Sequence, residues 1–214
     1  MNIEFLGSPN FTPGRDGHDL VTEPRYVVIH TMVGTIASAN ARFQQASEQA
    51  SAHYGVGLDG RIVQWVREED AAWHAGNFPV NLDSIGIEHE DGGRFDDPRP
   101  DALYTASAAL VRDICQRYGI PIDAQHIRPH NAFSATRCPD ALDIDRIIRE
   151  AGAGSAAPLP AASPRTHVVQ DGETMALIAR EFGVSLDALE RANPELERGH
   201  QWNLIFRGDV VRIP

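Results

Sequence analysis

The chain contains no lysine. All 19 of its basic residues are arginines, set against 30 aspartates and glutamates, for a formal net charge of −11. No basic cluster of the kind that neutralises phosphates occurs, so nucleic-acid binding is not expected. The same acidity argues against non-specific adhesion to anionic surfaces; targeting to one would need specific contacts. Cysteine is nearly absent as well. There are two, Cys115 and Cys138, too few for a disulfide framework. Cys115 falls on or beside the apolar stripe of a helical segment and reads as a small buried hydrophobe rather than a disulfide partner. Long apolar runs are missing too. Nothing approaches the ~18 uninterrupted apolar residues of a membrane span, so no membrane insertion is expected. The opening stretch "MNIEFLGSPNFTPGRDGHD" has neither a basic start nor an apolar core, and is not expected to act as a secretory signal.

What remains is ordinary globular composition, 42% apolar and 23% charged over 214 residues. That suffices for one domain of about 150 residues and a small second unit. Residues 152–165, "GAGSAAPLPAASPR", are dominated by small residues and three prolines without periodicity. They read as a semi-extended linker between a domain over 1–151 and another over 166–214.

In the larger part, "RYVVIHT" is a β-branched apolar run and predicts a buried central strand ending near His30. "SAHYGVGLDGRIVQWV" predicts two strands around a turn at Asp59-Gly60. "DSIGIEHE" predicts a short strand with Ile85, Ile87 and His89 on one face and Gly86, Glu88 and Glu90 on the other. The clearest helix lies in "PDALYTASAALVRDICQRYGIP", with Asp101 as its expected cap, a stripe of Leu103, Ala106, Leu110, Ile114 and Tyr118, and Gly119 with Pro121 at its end. A last helix is expected over Asp143–Glu150. Strands alternating with helices give an α/β fold, a mixed central sheet flanked by helices.

The chemistry concentrates in "RPHNAFSATRCPD". His130 and Cys138 supply two zinc-type donors on one loop, and Pro129 and Pro139 restrict that loop. A catalytic zinc takes three protein ligands and leaves one position open. His30, at the end of a buried strand, is the best candidate for the third.

The ordered stretches "VVIHTMVGT", "SAHYGVGLDGRIVQWV", "AAWHAGNF", "DSIGIEHE" and "PHNAFSATRCPD" resemble the type 2 N-acetylmuramoyl-L-alanine amidases, a family that includes phage lysozyme-like amidases and is related to peptidoglycan recognition proteins. The resemblance covers about residues 22–150. It implies zinc held by His30, His130 and Cys138, and hydrolysis of the amide between N-acetylmuramic acid and L-alanine. Glu88 matches the acidic position that would move the proton, with Glu90 a less favoured alternative. Thr136 stands two residues before Cys138, where some members carry a lysine that stabilises the oxyanion; others carry threonine. The tyrosine that some phage members place before the strand histidine is Ala52 here, which adds weight to Glu88. His74 is expected to line the substrate groove and Asn131 to contact substrate or orient its neighbouring ligand.

The smaller part predicts β-α-α-β, with helices over about Thr174–Phe182 and Ser185–Ala192. "HVVQDGETMALIAREFGVSLDALERANPE" and "RGDVVRIP" resemble a LysM module, which implies binding to N-acetylglucosamine-containing glycan. The groove of that family maps to Gly172, Glu173, Thr174 and Met175 on one side and to Asn193, Pro194, Leu204 and Ile205 on the other. The whole therefore reads as a monomeric, wall-anchored zinc amidase acting on peptidoglycan. An endolysin would be made in a host cytoplasm and released by a separate pore; a bacterial enzyme would need another export route. The alternatives are a recognition protein that binds muropeptide without cutting it, and a zinc endopeptidase acting on the peptide stem.

Overall fold

A computed structural model describes residues 3–15, 23–154, 165–170, 172–182, 184, 186–193, 196 and 205–213. The chain divides into two compact units, Met1–Ala156 and Ala157–Pro214.

In the larger unit the elements run β1 (Ile3–Phe5), β2 (Phe11–Thr12), β3 (Tyr26–Thr31), α1 (Ile36–Phe43), β4 (Tyr54–Val56), β5 (Ile62–Gln64), β6 (Ala71–Ala72), α2 (Phe78–Leu82), β7 (Ser84–His89), α3 (Asp101–Tyr118), β8 (Ile127–Pro129) and α4 (Ile144–Ala153). Six strands form one mixed sheet in the order β1-β5-β4-β7-β3-β8, and β2 pairs with β6 separately. Among the described residues, only the β4–β5 pair of the large sheet is antiparallel. The expected mixed sheet with flanking helices is therefore the observed fold.

Alternation along the central strands gives the sheet two unlike faces. Val27, Ile29, Tyr54, Val56, Ile85 and Ile87 pack with Leu103, Leu110 and Ile114 of α3 and with Ile147 of α4. A fully buried aliphatic side chain contributes roughly 1.5–3 kcal/mol, so this face anchors the unit. The opposite face carries Val28 and His30 from β3 and Gly86 and Glu88 from β7, paired in register as Val28 with Gly86 and His30 with Glu88.

Helix α3 starts differently from expectation. Its N-cap is Pro100, which offers no side-chain acceptor. Asp101 is instead the first helical residue, where its charge suits the helix dipole and its carboxylate accepts from Arg146 of α4 at 2.8 Å. Gly119 ends the helix at φ 64°, a left-handed conformation that glycine adopts without steric cost. Helix α4 begins at its cap Asp143, which accepts from the Arg146 amide, and continues to Ala153. Residues 152 and 153, at the start of the Pro/Ala-rich segment, are thus helical. Arg112 donates to the carbonyls of Glu150 and Ala151 and so satisfies acceptors that a helix end leaves open. Residues 155–164 of that segment lie outside the described residues.

The smaller unit contains β9 (Arg165–Val168), α5 (Met175–Phe182), α6 (Leu186–Ala192) and β10 (Val210–Ile213), with β9 and β10 antiparallel. Its core gathers Val169, Met175, Ile178, Ala179, Leu189, Leu196, Ile205, Val211 and Ile213. Thr174 caps α5 by accepting from the Leu177 amide at 3.2 Å; Ser185, the expected cap of α6, lies outside the described residues.

Candidate metal centre

His30 closes β3 on the face away from α3 and is 1% exposed. The loop after β8 brings His130 and Cys138 to it. One donor atom from each of the three lies within 4.8 Å of the others, and Cys138 Sγ stands 3.9 Å from His30 Nδ1. The ligands of a tetrahedral zinc with 2.0–2.3 Å bonds lie about 3.3–3.8 Å apart. Only a small contraction is needed to meet that spacing.

Local bonds shape the loop. The Asn131 amide donates to the Cys138 carbonyl at 3.0 Å, which joins the two ends of the ligand segment. The Cys138 amide donates to Thr136 Oγ1 at 3.1 Å, and Cys138 Sγ accepts from the Thr31 amide at 3.3 Å. Asn131 acts here through its main chain; its side chain is exposed.

The electrostatics of the cluster suit a dication. Burial, together with the neighbouring His74, His130 and His89, holds the His30 pKa well below the usual range. Burial lowers His130 also. Both rings are therefore neutral donors at neutral pH, as a metal requires. Burial pushes the Cys138 thiol up to about 12, and Glu88 adds to this. Burial likewise pushes the Glu88 carboxyl up to about 8, with Asp91 adding to the rise. Glu88 is the cross-strand partner of His30, and its Oε2 is buried without a hydrogen-bond partner among the described residues. Two acidic groups held protonated beside two neutral histidines make a site short of positive charge. The donor set fits zinc.

The other expected positions have the following surroundings. His74 is 8% exposed. Its Nδ1 lies 3.0 Å from His30 Nε2, behind the cluster, because Gly86 leaves room for its ring. Glu90 is committed to the frame: its two oxygens accept from the amides of Ile36 and Leu58. In the smaller unit Met175 and Ile205 are core side chains, and Asn193 is fully buried. Asn193 clips α6 to β10 through the Leu189 carbonyl and both main-chain groups of Arg212. Gly172, Glu173 and Thr174 remain at or near the surface, with Glu173 accepting from His167 and from the Gln170 amide. Pro194 and Leu204 lie outside the described residues.

The structure adds residues that sequence patterning passed over. A Cβ on Gly86 would lie 2.4 Å from His74 Cγ. Buried Asn81 accepts from the amides of both His74 and Ala75 through Oδ1. His89, fully buried, bonds the His30 carbonyl and Ser107 of α3. The glycine inside an otherwise β-branched strand was the one signal available for this layer.

Comparison with known proteins places these features in context. The sequence profile described as N-acetylmuramoyl-L-alanine amidase matches residues 20–141, and that described as LysM domain matches residues 167–214. N-acetylmuramoyl-L-alanine amidase A of Achromobacter lyticus is 43% identical over 99 residues, 44% of this chain and 52% of its own length. N-acetylmuramoyl-L-alanine amidase XlyA of Bacillus subtilis (strain 168) is 29% identical over 199 residues, 89% of this chain and 59% of its own length. The chain thus spans between half and two thirds of these relatives' lengths. Among solved structures, a mutant of PlyL superposes with a TM-score of 0.59 at 21% identity, covering 72% of this chain and all of its own.

Proposed function

The chain belongs to the N-acetylmuramoyl-L-alanine amidase family and carries a LysM domain, and on that footing we propose that it is a zinc-dependent amidase of peptidoglycan. The observation that carries the reading is the convergence of His30, His130 and Cys138, with the unpartnered Glu88 oxygen one strand away. The bond cut is the amide between the muramoyl lactyl group and L-alanine.

His30, His130 and Cys138 hold the metal. When bound, zinc supplies the Lewis acidity that lowers the pKa of water towards about 7 and polarises the scissile carbonyl. Glu88 takes the proton of the attacking water and returns it to the departing amine. Its pKa of about 8 before any cation is counted suits a group that must both accept and release a proton near neutrality. Thr136 Oγ1 accepts from the Cys138 amide, so its own hydroxyl hydrogen is free to donate to the oxyanion. That donor is neutral and weaker than an ammonium. The LysM domain binds N-acetylglucosamine-containing glycan through the surface around Gly172–Thr174, and tethering raises the local concentration of the catalytic unit at the wall. The protein acts at the cell wall as a monomeric lytic enzyme of the endolysin kind.

Digestion of purified peptidoglycan tests this. New L-alanine amino termini with free lactyl carboxyls on the glycan support the amidase. New termini within the stem peptide would assign an endopeptidase, and tight binding of muropeptide without cleavage would leave a recognition protein.

A further inference from the structure

We infer that the His74–Ala75 segment dictates which ring nitrogen each histidine ligand presents, with His74 a positioning residue for His30. The inference rests on the metal reading above and extends it to residues that touch no metal.

One chain of contacts fixes the place of each proton. A carbonyl oxygen only accepts, so the Ser84 hydroxyl hydrogen goes to the Val80 carbonyl that it contacts. Ser84 Oγ is then an acceptor for His74 Nε2, 3.1 Å away. A neutral imidazole has a single N–H, so His74 Nδ1 carries a lone pair. That lone pair faces His30 Nε2 at 3.0 Å, which must supply the hydrogen. His30 Nδ1 is therefore bare, and it is the atom 3.9 Å from Cys138 Sγ. Next along the chain, the Ala75 carbonyl lies 3.2 Å from His130 Nε2. It can only accept, so the His130 hydrogen also sits on Nε2 and its Nδ1 is bare.

Two adjacent residues thus order both ligands, one by a side chain and one by a main-chain carbonyl. The segment itself is fixed. Asn81 Oδ1 accepts from the His74 and Ala75 amides at 3.2 and 2.8 Å. The His74 ring fills the space over Gly86.

Nitrogen-15 spectra of the full chain, stripped of metal with a chelator, test the order directly without any substitution. Hydrogen on Nε2 of both His30 and His130 is expected; hydrogen on Nδ1 of either would overturn the inference. Zinc affinity, measured against a chromophoric chelator, gives a second readout. His74→Leu, which fills the space but accepts nothing, is expected to lose about 10–100-fold, while His74→Asn, which keeps an acceptor, stays within a few-fold of wild type. Equal zinc affinity in His74→Leu and wild type would refute the positioning role. Failure of the wild type to bind zinc would sink the metal reading instead, and the spectra would still decide the tautomers.

Discussion

Replacing Glu88 by glutamine should abolish hydrolysis and yet make the metal-free protein more stable. The buried carboxyl keeps its proton up to about pH 8, against 4.5 for the free group. Between those limits the folded chain holds a proton that the unfolded chain has released. Stability from this residue is therefore whole below about pH 4.5 and declines as pH rises towards 8. At pH 7 the interval from 4.5 corresponds to at most about 3.4 kcal/mol, taking 1.36 kcal/mol per pH unit, and water reaching the partly exposed side chain reduces it. Glutamine is close in shape to the protonated acid and does not titrate. Glu88→Gln should thus match wild type near pH 4.5 and exceed it by 1–3 kcal/mol, roughly, at pH 7–8. Native-state hydrogen exchange of the β3 and β7 amides reports the larger unit alone. Chelator-treated full-length protein should be compared at several pH values. A stability difference that does not change with pH, or a variant less stable than wild type at pH 8, would show that burial does not hold that proton.

The remaining predictions concern the ligands and their supports. Cys138→Ser and His130→Ala should each lose zinc on dialysis, as read by elemental analysis; stoichiometric retention in either would remove that residue from the ligand set. Zinc binding at pH 7 should release between one and two protons, one from the Cys138 thiol held near 12 and the rest from Glu88 near 8. Affinity then rises about tenfold per pH unit for each proton released. Calorimetry in buffers of different ionisation enthalpy measures the count, and Glu88→Gln should bring it to one; zero release would contradict the protonated thiol. Gly86→Ala drives a methyl into the His74 ring and should cost about 1–3 kcal/mol of stability by overpacking together with zinc affinity. A variant with wild-type values for both would show that the ring moves aside freely. Thr136→Val removes both the acceptor for the Cys138 amide and the hydroxyl donor, and should cut kcat more than Thr136→Ser; equal rates for the two would exclude a role for the hydroxyl.

The sequence carried the candidate ligands and left the residues around them hidden, for a physical reason. Ligand chemistry is written in residue type: only histidine and cysteine suit the donors at His30, His130 and Cys138, and a strand end or a proline-bounded loop is visible locally. Strand β3 was legible as a continuous β-branched run, and strand β7 and helix α3 because each buries a periodic apolar face. The two-residue β2 and β6 bury no periodic face and exist through pairing with each other. Helix α1 did carry a signal, a Thr35 and Ser38 capping box ahead of Ile36, Ala39 and Phe43, but with small polar residues between them it did not stand out. The contacts of His74 were not legible because they depend on the empty side of Gly86, twelve residues later in another element, nor were those of Glu90, whose partners are main-chain amides that no side-chain pattern reveals.

The two faces of the central sheet explain how such a site is sustained. On one face, aliphatic side chains of β3, β4 and β7 meet α3 and α4 in an uninterrupted core. On the other, the same strands enclose His30, His74 and Glu88, and the neighbouring loop encloses Cys138. Each of these groups is held in its uncharged form by burial. An arrangement of that kind costs stability, which the aliphatic face offsets. Such a cluster would favour a cation: neutral imidazoles offer lone pairs at once, while the thiol and carboxyl gain from ionising only when positive charge arrives. On the proposed reading, metal binding and folding would be coupled through the same residues. The strain of an acidic site without its cation and the affinity of that site for zinc would then be one free energy seen from two sides.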